Sequence, residues 1–110
     1  MKMPGREKAY VPRAKLTDYL LSLTHAVGRS KARYFHSMGY SDENAALLEA
    51  QLLTIARFMD VTETMSTPYG TKYVVSGALH TPTGSMVRIK TVWIVDAGDD
   101  HPRFVTAYPA

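Results

Sequence analysis

The feature that most constrains the fold of this chain is a change in its hydrophobic period near Met59. Before that residue, apolar side chains recur every three or four positions, as on one face of an α-helix. After it, apolar and polar side chains alternate, as in strands that bury one face. Helical segments followed by strands with hairpin-length links predict an α+β domain, with about three N-terminal helices packed on one face of a four-stranded antiparallel β-meander. The other face of the sheet is then open to a ligand.

The boundaries of these elements follow from caps and turns. The predicted helices cover 13–23, 30–38 and 41–58, and the predicted strands cover 61–66, 72–79, 86–95 and 103–108. Leu23 completes the apolar stripe of the first helix, Gly39 ends the second, and Ser41 caps the third. Gly77, inside the second strand, predicts a bulge or a close backbone approach.

Composition places the chain among globular proteins and excludes several kinds of site. Of 110 residues, 45% are hydrophobic and 21% are charged, and none is cysteine. A disulfide scaffold, a thiolate zinc site and a cysteine nucleophile are therefore excluded. Residues 1–11 are expected to form a flexible leader and residues 12–110 a single domain. Since no apolar run approaches the ~20 residues that span a bilayer, we expect a cytoplasmic protein without a membrane segment.

Positive charge is concentrated in the first part of the chain. Residues 1–40 hold eight basic and two acidic side chains, a net charge of +6, whereas residues 41–110 have a net charge of −3. A basic region of this kind is the usual electrostatic feature of a polyanion-binding protein. A solvated helical surface explains the same charge equally well.

The densest polar segment lies between the first two helices and begins at His25. Gly28 gives the backbone conformational freedom, and the N-terminus of the following helix offers unpaired N–H groups. The cationic and hydroxyl donors beside them are Arg29, Ser30, Lys31 and Arg33. These groups predict a phosphate site, beside which a histidine can act as general acid or base near neutral pH. The alternative is an ordinary interhelical turn with a partly exposed histidine.

A second group of candidates lies in the sheet. Thr91 and Trp93 share a face of the third strand, Thr106 and Tyr108 share a face of the last, and Arg103 begins that strand. Hydroxyls and an arginine can stabilise a phosphorane-like transition state, and an aromatic ring can stack a base. Alternatively, Trp93 belongs to the core, and the threonines and the tyrosine are there because they favour strands.

No metal site and no cofactor are predicted. The four histidines lack the short spacings typical of metal ligands, and the chain has no phosphate-binding glycine loop or dinucleotide fingerprint. The pair Asp99 and Asp100 follows Gly98, where turn formation explains the two carboxylates better than acid catalysis.

Five segments of the chain resemble a family of small bacterial domains of unknown function that occur alone or at the ends of polymorphic toxins. They lie between about Lys15 and Pro109 and cover 15–21, 25–35, 69–77, 91–93 and 102–109. Such domains are similar to distant members of the barnase, EndoU, colicin and RelE-like ribonuclease superfamily, which shares N-terminal helices and a four-stranded antiparallel sheet.

The resemblance implies metal-independent RNA cleavage, in which a 2′-hydroxyl attacks the adjacent phosphate. It assigns His25 as acid or base, Lys31 and Arg103 as phosphate stabilisers, and Thr106 and Tyr108 as groups that orient the phosphate or the attacking hydroxyl. The side chains expected to bind RNA are Lys15, Arg29, Ser30, Arg33, Thr91 and Trp93.

The expected partners are RNA and a small cognate antitoxin or immunity protein that covers the basic site, and a homodimer is left open. The alternative function is a non-catalytic module that binds RNA or a protein, as a component of a toxin–antitoxin or secretion system.

Overall fold

The computed structural model describes residues 1–24 and 29–110. Within these residues, three helices precede four strands, which confirms the predicted α+β class. Helix α1 (Arg13–Lys15) continues into a π-helical turn (Leu16–Leu20), and α2 (Arg29–Ser37) and α3 (Ala45–Phe58) follow; the strands are β1 (Val61–Thr67), β2 (Gly70–His80), β3 (Met86–Asp96) and β4 (Arg103–Pro109). Single 3-10 turns cover Arg6–Lys8 and Asp42–Asn44.

The sheet is an antiparallel meander in the order β1-β2-β3-β4, so β1 and β4 are its edges. The β3–β4 ladder contains a bulge, because Trp93 pairs with Phe104 and Val92 pairs with Thr106, which leaves one extra residue in β4 between the two pairs. Beyond it, Thr91 lies opposite Ala107, and Thr106 lies opposite Val92. Because side chains alternate along a strand, Thr106 faces the side of the sheet opposite to that of Thr91.

Helix α3 covers the centre of the sheet. The helix follows the 3-10 turn Asp42–Asn44, where the hydroxyl of Ser41 accepts from the N–H of Glu43 at 3.3 Å. Near its other end, Ile55 packs over Gly77 so closely that a Cβ at that position would lie 2.7 Å from its side chain. Gly77 pairs regularly with Ile89, so it marks a close approach and not a bulge. No helix in the described part of the chain is long and apolar enough to cross a membrane.

The first helix ends earlier than its apolar stripe predicts. The N–H of Leu21 donates to the carbonyl of Leu16 at 2.8 Å, a bond of π-helical span that changes the phase of the helix. Leu20 and Leu21 are buried as a result, whereas Leu23 is 52% exposed. The prediction that Leu23 belongs to the buried stripe is therefore wrong.

Residues 1–11, expected to be a flexible leader, pack against the rest of the chain in this structure. Met3 is fully buried and Val11 nearly so. The backbone of Tyr10 bonds to both neighbours of Arg103, accepting from Phe104 and donating to Pro102, each at 3.0 Å. These contacts tie the segment to the start of β4, and apolar burial compensates the entropy of ordering it.

Candidate functional site

The candidate site is centred on Thr106 in the edge strand β4. Its hydroxyl accepts a hydrogen bond from Lys31 Nζ at 2.8 Å and shares a second one with the Tyr19 hydroxyl at 3.2 Å. Tyr19 comes from the π-helical turn after α1, Lys31 from α2, and Thr106 from the far end of the chain. Three distant segments therefore place a cation and two hydroxyls at one point, in a half-buried position.

Lys31 is held in this position by several groups. Besides Thr106, its ammonium group donates to the carbonyl of Ala107 at 3.4 Å and lies 5.6 Å from the centroid of the Tyr108 ring. An ammonium group has three N–H donors. Within the described residues, Thr106 and Ala107 accept two of them. These contacts fix the position of the cation.

A shallow groove of about 530 Å³ lies on the α1 side of Thr106. Its lining includes Lys15, Asp18, Tyr19 and Arg103. The Lys15 ammonium lies 5.0 Å from the centroid of the Tyr19 ring, as expected for side chains four residues apart on a helix. Two basic side chains therefore border the groove.

A smaller cavity of about 250 Å³ lies on the α2 side of Thr106. It is lined by Ser30, Lys31, Tyr34, Ala107, Tyr108 and Pro109, and its wall is almost entirely apolar. Since Lys31 lines this cavity and Tyr19 lines the groove, the Thr106 hydroxyl lies between an apolar pocket and a basic groove. Such an arrangement suits a ligand that joins an anion to a flat apolar group.

Only one cluster within the described residues combines three side chains able to bind a metal, namely Asp99, Asp100 and His101 in the β3–β4 turn. All three are exposed, and Lys8 Nζ lies 2.6 Å from an Asp100 carboxylate oxygen. The hydrogen bond from Lys8 lowers the pKa of Asp100, and the Asp100 backbone N–H lowers the pKa of Asp99. Both carboxylates thus stabilise the turn, in agreement with the sequence interpretation.

Comparison with known proteins places the chain in a family. The family model described as Domain of unknown function (DUF6883) matches residues 2–110. The chain belongs to the DUF6883 family. No curated protein sequence matches it. Among solved structures, a chain of a contact-dependent growth inhibition toxin–immunity protein complex from Klebsiella pneumoniae 342 is similar, with a TM-score of 0.75, 19% identity and 96% of both chains covered.

These comparisons confirm the predicted link to a family of domains of unknown function. The likeness to the Klebsiella chain shows a shared fold that extends over nearly the whole DUF6883 domain. The family match spans residues 2–110 and therefore includes Tyr19, Lys31, Thr106 and Tyr108.

Two side chains that the sequence assigns to RNA binding lie in the core of this DUF6883 domain. Thr91 and Trp93 are both fully buried. The indole N–H of Trp93 donates to the Thr91 hydroxyl at 2.8 Å, and that hydroxyl donates to the carbonyl of Val75 at 2.7 Å. Neither side chain is accessible to RNA in this structure, because the central strand β3 is covered by the helices on this face.

Of the other predicted residues, Lys31, Thr106 and Tyr108 come together, whereas Arg103 and Lys31 line different pockets. Arg103 borders the α1 groove and forms an ion pair with Asp96, with Nη2 3.4 Å from a carboxylate oxygen. Three further candidates are exposed on the first turns of α2: Arg29, Ser30 and Arg33. His25 lies outside the described residues.

Sequence reasoning missed two tyrosines. By its spacing, Tyr19 shares the apolar stripe of the first predicted helix with Leu20 and Leu23, yet its hydroxyl bonds to Thr106. Tyr34, three residues after Lys31 on α2, forms one wall of the apolar cavity. The spacing of Tyr34 from Lys31 is a usable signal, because residues three apart on a helix lie on the same side. The contact of Tyr19 depends on the fold of the whole chain and has no local signal.

Proposed function

We propose that this chain is a metal-independent endoribonuclease of the bacterial toxin type, which cleaves RNA by attack of a 2′-hydroxyl on the adjacent phosphate. The observation that carries the proposal is the convergence of Lys31, Tyr19 and Thr106 at the edge strand. The fold shared with a chain of a toxin–immunity protein complex supports a toxin-system context.

The chemistry requires stabilisation of negative charge on the phosphate. When the 2′-oxygen bonds to phosphorus, the non-bridging oxygens gain charge, and the bond to the 5′-oxygen then breaks to leave a cyclic phosphate and a 5′-hydroxyl. A fixed cation aimed at those oxygens lowers the barrier because it needs no reorganisation during the reaction. Lys31 supplies this cation, and Thr106 and Tyr19 hold it and orient the phosphate.

The reaction also needs a base for the 2′-hydroxyl proton and an acid for the 5′-oxygen. His25 retains the role of acid or base that the sequence resemblance implies, and Tyr108 flanks the phosphate through its contact with Lys31. Lys15 and Arg103, on the α1 groove, extend the phosphate path, and Arg29, Ser30 and Arg33 extend it along α2.

The direct test is incubation of purified protein with transfer, ribosomal and messenger RNA in the presence of EDTA. We expect cleavage that leaves 5′-hydroxyl ends, detected because polynucleotide kinase labels them without prior phosphatase treatment. Cleavage should be lost in His25→Ala and Lys31→Ala, with unchanged circular dichroism spectra. Intact RNA in every buffer, with no inhibitor bound to the protein, would refute the enzymatic function.

One observation favours the alternative of a non-catalytic protein-binding module. Residues 62–66 of the edge strand β1 are all exposed, and Met65 is 53% exposed. An open strand edge can add a strand from another protein. Co-purification of a small partner without nucleic acid, together with absence of cleavage, would favour this function over the ribonuclease.

A further inference from the structure

The apolar cavity beside Lys31 has no occupant assigned to it by the proposed cleavage chemistry. Its walls are two tyrosine side chains, Tyr34 from α2 and Tyr108 from β4, together with Pro109. The cavity shares Lys31 with the phosphate site, since the same side chain lines it and donates to Thr106 at 2.8 Å. Any ligand whose anion binds Lys31 therefore brings its neighbouring group to this cavity.

The dimensions of the cavity limit what can occupy it. Its volume of about 250 Å³ lies below the ~300 Å³ at which pockets for drug-sized ligands begin, so it suits one small ring system. Aromatic side chains provide flat faces on which bases stack irrespective of sequence. The cation at the rim favours an occupant that is attached to a negatively charged group.

We propose that the Tyr34–Tyr108 cavity is a base subsite, which receives the unpaired nucleobase next to the phosphate held by Lys31. This inference rests on the proposed function and names its substrate class, namely RNA in single-stranded segments or loops. A base can enter the cavity only when it has left its helical stack, so duplex RNA is a poor substrate.

The test uses short single-stranded RNAs in which one 2-aminopurine is moved along the chain, and matched RNAs with an abasic nucleotide at the same position. Stacking on a tyrosine quenches 2-aminopurine fluorescence, so binding is measured even where no cleavage occurs. We expect Tyr34→Ala to weaken binding and slow cleavage of the base-containing RNA about fivefold to hundredfold, as base–aromatic stacking predicts. On the abasic RNA, Tyr34→Ala and wild type should be equal.

Two companion variants separate stacking from folding. The ring of Tyr34 packs edge-on against Phe35, with centroids 5.4 Å apart, so Tyr34→Ala can disturb the core. Tyr34→Phe keeps the stacking face and should behave as wild type, whereas Tyr34→Leu keeps apolar volume without an aromatic face and should lose the quenching. Tyr69→Ala, in the turn between β1 and β2, removes a tyrosine that is 78% exposed and serves as the matched control.

The failure of the subsite and the failure of the enzymatic function give different results. If wild type cleaves RNA and Tyr34→Leu is equally active on base-containing RNA, the base subsite is overturned and the ribonuclease stands. If wild type quenches 2-aminopurine through Tyr34 but cleaves nothing, the subsite stands and the enzymatic function fails. If wild type neither binds nor cleaves RNA, both are overturned, and an aromatic side chain of a protein partner becomes the occupant to test.

Discussion

Two neighbouring strands carry the same short pattern, a threonine two residues before an aromatic side chain. On β3 the pair is Thr91 and Trp93, and on β4 it is Thr106 and Tyr108. In the first pair, both side chains are fully buried and bond to each other. In the second pair, both are half-buried, and the threonine bonds to Lys31.

The difference arises from the place of each strand in the sheet. β3 has a neighbour on both sides, and the face that carries Thr91 is covered by the helices. β4 is an edge, and the bulge beside Trp93 sets the phase that puts Thr106 on the other face. The same residue types therefore supply a core hydrogen bond in one strand and a candidate binding group in the next. The variants described below test this division of roles.

The largest expected effect is on stability, from Trp93→Ala. Removing a fully buried tryptophan leaves a cavity under the helices and removes the indole N–H that donates to the Thr91 hydroxyl, which should lower the free energy of unfolding by about 3–5 kcal/mol. Urea denaturation followed by circular dichroism measures this. The matched variant Tyr108→Ala, in the edge strand, should cost much less; equal losses would show that β4 is as much part of the core as β3.

The second largest effect is expected for Lys31→Ala, and it concerns RNA cleavage. Loss of one preorganised charge at the phosphate should reduce RNA cleavage about 10²- to 10³-fold, while the free energy of unfolding changes by less than about 1 kcal/mol because the side chain is half-exposed. The rate of cleavage under single-turnover conditions measures it. Lys72→Ala, which alters a half-buried lysine on β2, should stay near the wild-type rate; an equal loss there would indicate general charge attraction and not a site.

Paired valine substitutions at the two threonines give a smaller and sharper contrast. Thr91→Val leaves the buried indole N–H of Trp93 without an acceptor and should cost about 1–3 kcal/mol of stability. Thr106→Val removes one of the two acceptors of Lys31 in a half-exposed place, so it should lower cleavage with little change in stability. Thermal unfolding and cleavage are measured on both proteins. The division of roles would be disproved if Thr91→Val lost activity without losing stability.

The fold was predictable from the sequence to a large extent because periodicity reports burial directly. The alternation around Gly77 and Ile89 indicates the strands, and Ser41 indicates the capped 3-10 turn that leads into the third helix. What the sequence could not supply was the phase of each strand relative to its neighbour. A single bulge decides whether Thr106 faces Thr91 or the opposite side, and nothing in the local sequence encodes that bulge.

The candidate site was predictable only in part for the same reason. Lys31, Thr106 and Tyr108 were identified by residue type, because cations, hydroxyls and aromatic rings have known uses in phosphate and base binding. The role of Tyr19 depends on the π-helical turn, which aims its hydroxyl at a residue 87 positions away in the chain. A contact of that range is set by the packing of α1 against β4 and leaves no trace in the spacing of nearby residues.

The smallest expected effect concerns the turn that joins the two strands. The hydrogen bond that Lys8 donates to Asp100 lowers the pKa of the Asp100 carboxyl below its ordinary 3.8, and the same bond raises the pKa of Lys8 above 10.5. A lowered carboxyl pKa stabilises the fold above about pH 4, and this contribution is lost as the pH falls through the lowered value. The raised lysine pKa stabilises the fold below about pH 10.5, and that contribution is lost as the pH rises through the raised value.

The melting temperature of wild type should therefore exceed that of Asp100→Asn slightly at neutral pH, and this difference should disappear in acid. Glu63→Gln, an exposed substitution on β1, is the control, and its melting temperature should not approach that of wild type in acid in this way. If the difference in melting temperature between wild type and Asp100→Asn stays constant through the acid range, the Lys8–Asp100 pair does not hold the turn.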